Sequence, residues 1–192
     1  MDNFDFTECR GILLKGALAA LRFKEKAIKA IKADAIITGV ALDLAPWHGG
    51  VGMALRLSTD PRDDYARYSS VEWEHFNFVS KEGCKALVPV GQYIRQTYEA
   101  RGKRWYLDLA HLIFLAGAEA MLDRKVARYL QTLGIDAPVV RDRLVPHFFE
   151  YIVVDPDGSL PGNYCDFVLG MRVTKRLLKT LGGPGSAADV VR

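Results

Sequence analysis

The chain has 192 residues, 49% of them apolar and 26% charged, with 26 basic and 23 acidic side chains and a formal net charge of +3. This length suits a single domain with a sizeable core, and so small a positive excess argues against a dedicated nucleic-acid binder, which concentrates its charge far more strongly. The three cysteines, Cys9, Cys84 and Cys165, are odd in number and far apart, which excludes a disulfide framework or a zinc ribbon.

Residues 7–33 read as one helix with Thr7 as its cap: Leu14, Leu18, Leu21, Ile28 and Ile31 recur at helical spacing. Its second half is basic, through Arg22, Lys24, Lys26, Lys29 and Lys32. The period then drops to two. Ile36, Thr38, Val40, Leu42 and Leu44 alternate with small or polar residues, and so do Val51, Met53, Leu55 and Leu57, the pattern of strands with one buried face. Pro46-Trp47-His48-Gly49-Gly50 between them is turn sequence, which predicts an antiparallel hairpin. Pairing Pro46 with Val51 puts both apolar sets on one face. It also places Asp43 opposite Ala54 and diagonal to Arg56, within reach of an ion pair.

Residues 60–68 read as a loop or short helix, 71–79 as a third strand, and 85–100 as a helix with Pro89 in its first turn. Residues 105–133 read as one long helix stopped by Gly134. Residues 148–154 read as a strand ended by the turn Asp155-Pro156-Asp157-Gly158, and 164–181 as a last helix stopped by Gly182-Gly183-Pro184. Helix, hairpin, strand, two helices, strand, helix is the order of an α+β domain, an antiparallel sheet with covering helices. A single domain is expected over 1–184, with 185–192 as a flexible tail.

The acidic, polar start MDNFDFTECR does not read as a signal peptide, so none is expected, and no run approaches ~20 uncharged apolar residues. A cytoplasmic protein with reduced thiols and no membrane segment is expected.

The chain lacks G-x-G-x-x-G, P-loop, G-x-S-x-G and H-E-x-x-H motifs. Two constellations remain. Asp108, His111 and Glu119 share one face of the predicted long helix, a polar stripe on an apolar element. Its metal reading needs further ligands from facing helices, and its plain reading is local pairing of each group. The hairpin tip with His48, together with Glu72, Glu74 and His75, offers imidazole and carboxylate. Its plain reading is a solvated edge. Cys84 follows Gly83 near a helix start, where a thiolate is favoured, with His75 or His147 as a conceivable partner. Arg172, Lys175, Arg176 and Lys179 make the last helix basic, which a helix C-terminus favours in any case.

The run Asp43-Leu44-Ala45-Pro46-Trp47-His48-Gly49-Gly50-Val51-Gly52-Met53-Ala54-Leu55-Arg56-Leu57 and the later Val71-Glu72-Trp73-Glu74-His75-Phe76 resemble uncharacterised bacterial proteins, some of them similar to small immunity proteins of polymorphic toxin systems. The resemblance covers about residues 41–76. It implies a binding protein and carries no functional residues with it.

The expectation is thus a non-catalytic protein-interaction module, with another protein as partner and no cofactor. It would dock through exposed aromatic and charged residues, among them Trp47, His48, Tyr68 and Trp73. The alternative is a small-molecule enzyme or metal protein built on the Asp108, His111 and Glu119 stripe.

Overall fold

The alternating segments form β1 (Ile37–Ala45) and β2 (Gly50–Leu57), an antiparallel hairpin. The computed structural model describes residues 4–60, 69–100, 106–141, 148–158, 160 and 162–181. Ala45 pairs with Gly50 and Leu44 with Val51, a register two residues away from the pairing of Pro46 with Val51. Proline has no N–H to give a ladder. Pro46 instead opens a 3-10 turn, Pro46–His48, closed by Gly49 at φ 60°. A shift of two keeps every side chain on its expected face.

β3 (His75–Ser80) pairs antiparallel with β2, and β4 (Glu150–Val154) pairs parallel with β1, giving the order β3-β2-β1-β4. The sheet is therefore mostly antiparallel, with one parallel edge. β3 begins later than 71 because Ser70–Glu72 form a 3-10 turn. Asp60 fixes that entry: its Oδ2 accepts from the Leu57 N–H at 2.6 Å and its Oδ1 from the Glu74 N–H at 3.0 Å. The ladder between β2 and β3 is irregular between Met53 and Leu55. There Asn77 takes φ 51°, the one left-handed non-glycine among the described residues, as a bulged strand requires.

The predicted first helix is divided in two, α1 (Phe6–Phe23) and α2 (Glu25–Asp34), at Lys24. Asp5, not Thr7, caps it by accepting from the Glu8 N–H at 2.9 Å. α3 (Val88–Glu99) follows a short 3-10 turn, Lys85–Leu87. The long helix is likewise divided, into α4 (Tyr106–Met121) and α5 (Arg124–Thr132). Asp123 caps α5 by accepting from the Lys125 N–H at 2.9 Å and pairs with Arg10 at 2.5 Å, so an N-cap stands where periodicity alone runs on. Gly134 at φ 77° ends α5 as expected, with the Ile135 N–H reaching the Leu130 carbonyl at 3.2 Å. α6 is Tyr164–Leu181.

The helices lie on one face of the sheet. Leu42, Leu44, Met53, Leu55 and Val153 are buried there with Leu13, Leu21, Ile94, Phe114 and Met121. Gly117 lets α4 approach the strands: a Cβ there would sit 3.0 Å from Leu44 Cδ1 and 3.3 Å from Val153 Cγ1. The opposite face carries a smaller cluster in which Trp73 covers Ala41, Ala54, Ile152 and Val154. Among the described residues no helix is long and apolar enough to cross a membrane.

Candidate functional site

Residues paired across a sheet share a face. Asp43 pairs with Gly52 and Val154, and Gly52 pairs with Ser80. This row lies on the Trp73 face, one step nearer the hairpin tip than the row of Ala41, Ala54 and Ile152. The next row is Ala45 and Gly50. The face thus loses its side chains towards the tip, and a cavity of 130 Å³ opens between the hairpin and the end of β3. Asp43, Gly50 and Gly52 line one side of it, with Phe76, Asn77, Ser80, Lys81 and Glu82 opposite. A Cβ at position 52 would meet Val79 O at 3.3 Å and Asn77 Oδ1 at 3.4 Å, so this glycine keeps the space open.

Asp43 is only 4% exposed. Its Oδ1 accepts from the Ser70 hydroxyl at 2.7 Å, while its Oδ2 has no hydrogen-bond partner among the described residues. Burial pushes its carboxyl up from the usual 3.8 to about 6, against the Ser70 hydrogen bond, which lowers it. Glu82 at the rim is exposed. Its own backbone N–H and then the Ser80 hydroxyl hold its carboxyl below the usual range. Lys81 turns its ammonium to the hairpin, donating to the carbonyls of His48 at 3.3 Å and Gly49 at 3.1 Å.

The expected ion pair of Asp43 with Arg56 is not formed. Arg56 pairs with Glu150, which the parallel pairing of Gly39 with Glu150 brings alongside β2. Both ion-pair partners are largely buried, and the guanidinium carbon lies 6.0 Å over the Trp73 ring.

Of the four residues named for the aromatic patch, Trp47, His48 and Trp73 lie among the described residues. Trp73 is 3% exposed, because it covers the sheet. Trp47 is half-buried: its indole N–H donates to Asp157 Oδ2 at 3.2 Å, and its ring meets Tyr98 edge-on at 6.4 Å. His48 is exposed at the tip, Glu72 and Glu74 are exposed, and His75 packs edge-on against Phe78. Tyr68 and His147 lie outside the described residues.

The stripe on α4 is divided among separate partners. His111 Nδ1 shares a 2.5 Å hydrogen bond with the Tyr164 hydroxyl, Glu119 pairs with Arg172, and Asp108 is exposed. At 1.5 Å per residue, Asp108 and Glu119 stand ~16 Å apart along the helix, too far to share one ion. Among the described residues no group of three or more His, Cys, Asp or Glu side chains is placed to hold a metal.

The thiols of Cys9, Cys84 and Cys165 are buried. Burial pushes Cys9 up to about 12 and Cys165 well above its usual value, which makes both poor nucleophiles. On α6, Lys175, Arg176 and Lys179 are exposed, as are Phe167, Met171 and Leu178.

Sequence reasoning placed Asp43 on the correct face but gave it the wrong partner. The signal for the pocket was present: Asp43, Ala45, Gly50 and Gly52 are the small and polar positions alternating with Leu42, Leu44, Val51 and Met53. Comparison of the chain with protein-family models, with curated proteins and with solved structures finds no match.

Proposed function

We propose that this chain is a non-catalytic protein-interaction module, of the immunity-protein kind that the hairpin resemblance implies, and that it seats one side chain of its partner in the Asp43 pocket. One observation carries the reading: a surface pocket the size of a side chain is lined by Asp43, a buried residue with one carboxylate oxygen unpaired among the described residues. Buried polar atoms are nearly always paired, so an unpaired one beside an opening is a place where a ligand completes the structure.

Size favours a protein partner. Cofactor and substrate sites run to roughly 300–1,000 Å³, whereas a cavity near 150 Å³ takes about one benzene ring. At 130 Å³ this pocket suits a single anchor residue, as protein interfaces use at their centres.

Site-directed photocrosslinking in the protein's own cells tests the reading. A benzophenone amino acid replaces Glu82 at the rim, or Lys125 on the distant α5 as control. One protein adduct is expected from position 82 only, and it should disappear in the Asp43→Asn background. Equal labelling from both positions, or labelling that ignores Asp43, overturns the proposal.

A further inference from the structure

We infer that the outward face of α6 is a self-complementary interface, which pairs antiparallel with α6 of a second copy of this chain. Among the described residues no part of α6 lines the Asp43 pocket, so this surface is independent of it.

Four exposed large apolar side chains fall within twelve residues of α6: Phe167, Met171, Leu177 and Leu178, at 53, 54, 48 and 66% exposure. Scattered exposed apolar residues are ordinary, but these are ordered. At about 100° per residue, Phe167, Met171, Thr174 and Leu178 lie within roughly 60° of one another. The stripe is turned away from Cys165 and Leu169, which are buried. Its spacing of four, three and four is that of the a and d positions of a coiled coil. Thr174 does not interrupt it. Its hydroxyl donates to the Gly170 carbonyl at 3.1 Å, which satisfies the polar group within the helix and leaves the methyl to be covered. Phe167 meets the Tyr164 ring edge-on at 5.5 Å, a contact that positions an anchor before any partner arrives.

Symmetry and area point to a second copy as the occupant. The spacing reads the same in both directions. Turned end for end about a two-fold axis between residues 172 and 173, Phe167 meets Leu178 of the second copy, and Met171 meets its Thr174. Gly170 and Leu177 share one flank of the stripe, and the same operation lays one against the other. Among the described residues nothing lies within 4 Å of where a Gly170 Cβ would stand, which leaves a hole for the Leu177 knob. Closed two-fold dimers are the commonest oligomers, and they use one patch twice in this way. The four apolar side chains leave roughly 400 Å² in water, taking ~150–250 Å² for a large side chain. Two facing copies bury roughly 800 Å² from these alone. The Thr174 methyl and the alkyl stem of the flanking Lys175 bring the total to about 1,000 Å², where specific interfaces begin. A dimer of that size is reversible.

The test is sedimentation equilibrium of the full chain at pH 7.5, from about 5 to 500 µM. A monomer–dimer equilibrium within that range is expected. Leu178→Glu and Met171→Glu should each weaken it at least tenfold with a melting temperature near wild type, because both side chains are exposed. Ile36→Glu, at an exposed position outside α6, should leave it intact. A chain that stays monomeric throughout, or a dimer that Ile36→Glu disrupts as much as Leu178→Glu does, overturns the inference. Cross-linking with a short bismaleimide reads the direction of pairing. In the antiparallel dimer the two copies of residue 174 stand ~5 Å apart along the helix and the two copies of residue 167 ~16 Å apart, at 1.5 Å per residue. Thr174→Cys should therefore link to itself and Phe167→Cys should not, with wild type and its buried thiols as the blank. Equal linking from both positions means parallel packing and overturns the antiparallel arrangement. A monomer that co-sediments with vesicles of equal phosphatidylcholine and phosphatidylglycerol, and loses this in Leu178→Glu, assigns the stripe to a lipid surface and overturns the dimer. None of these failures alters the crosslink expected from position 82.

Discussion

Asp43 and Gly52 stand directly opposite each other on β1 and β2, and both line the cavity that the missing side chain at 52 helps to keep open. Among the described residues, this buried ionisable group holds nothing beyond the Ser70 hydroxyl. Sites that work against stability in this way are where function is expected.

Asp43→Asn should therefore stabilise the chain at neutral pH. The rise from 3.8 to about 6 means that the folded state holds a proton which the unfolded state has released. Folding is then favoured by this group below pH 4 and loses that help as pH climbs through 6. At pH 7 the loss is about 3 kcal/mol relative to a neutral side chain of the same shape. Urea unfolding of wild type and variant at pH 4 and pH 7.5 checks it. The variant should be more stable at pH 7.5, and the two should converge at pH 4. A difference independent of pH contradicts the assignment.

Gly52→Ala should weaken crosslinking from position 82 with little change in stability. The added methyl meets Val79 O and Asn77 Oδ1 at 3.3 and 3.4 Å, close enough to intrude on the pocket, while the exposed Asn77 side chain has room to yield. Alanine in a strand gains about 0.5–1 kcal/mol over glycine in backbone entropy, which offsets the crowding. A weaker protein adduct from position 82 with a melting temperature near wild type is the expected pair of results. Unchanged crosslinking would show that the partner does not approach β2.

Much of this was legible from local pattern. The last helix, 164–181, needed only its period and the glycines after it, and the hairpin faces followed from alternation in residues 36–57. The misreadings share one cause, an effect that periodicity does not register. The long helices divide at Lys24 and Asp123 because a cap or a turn interrupts an unbroken apolar rhythm. The hairpin register moved because Pro46 cannot join a ladder. The partner of Arg56 was out of reach of local reasoning, since Glu150 arrives 94 residues later on a parallel strand. For the site, small residues at alternate positions marked the open face, but the bulge at Asn77 that frames its far wall has no plain sequence signal.

His111→Ala should behave as the loss of a structural hydrogen bond. His111 contacts the Tyr164 hydroxyl, and Tyr164 stacks on Phe114 at 4.8 Å between ring centres. A cost of about 1 kcal/mol is expected, and Tyr164→Phe should cost a similar amount, since each deletes the same bond. The double variant should cost less than the two single losses together. Thermal unfolding with and without added zinc distinguishes this from ligation: the metal should shift wild type and His111→Ala equally, and a shift seen only in wild type would restore the metal reading of the stripe.

The Arg56 and Glu150 pair gives the sharpest stability prediction. The two side chains are 5% and 17% exposed, and Arg56 Nε has no partner among the described residues, so the guanidinium depends on Glu150 for its compensation. Removing one member of a buried pair leaves the other as an uncompensated charge, at about 3–5 kcal/mol. Replacing both by apolar residues of similar volume removes the desolvation cost along with the attraction and is often neutral or better. Glu150→Leu alone should therefore be strongly destabilising, whereas Arg56→Met combined with Glu150→Leu should recover most of the loss. The Trp73 ring lies beside Arg56, so tryptophan fluorescence during denaturant unfolding, in a background with the other two tryptophans, Trp47 and Trp105, replaced by phenylalanine, reports on this face. If the double variant is as unstable as Glu150→Leu, the pair supplies specific attraction that apolar packing cannot replace, and the desolvation argument fails for this site.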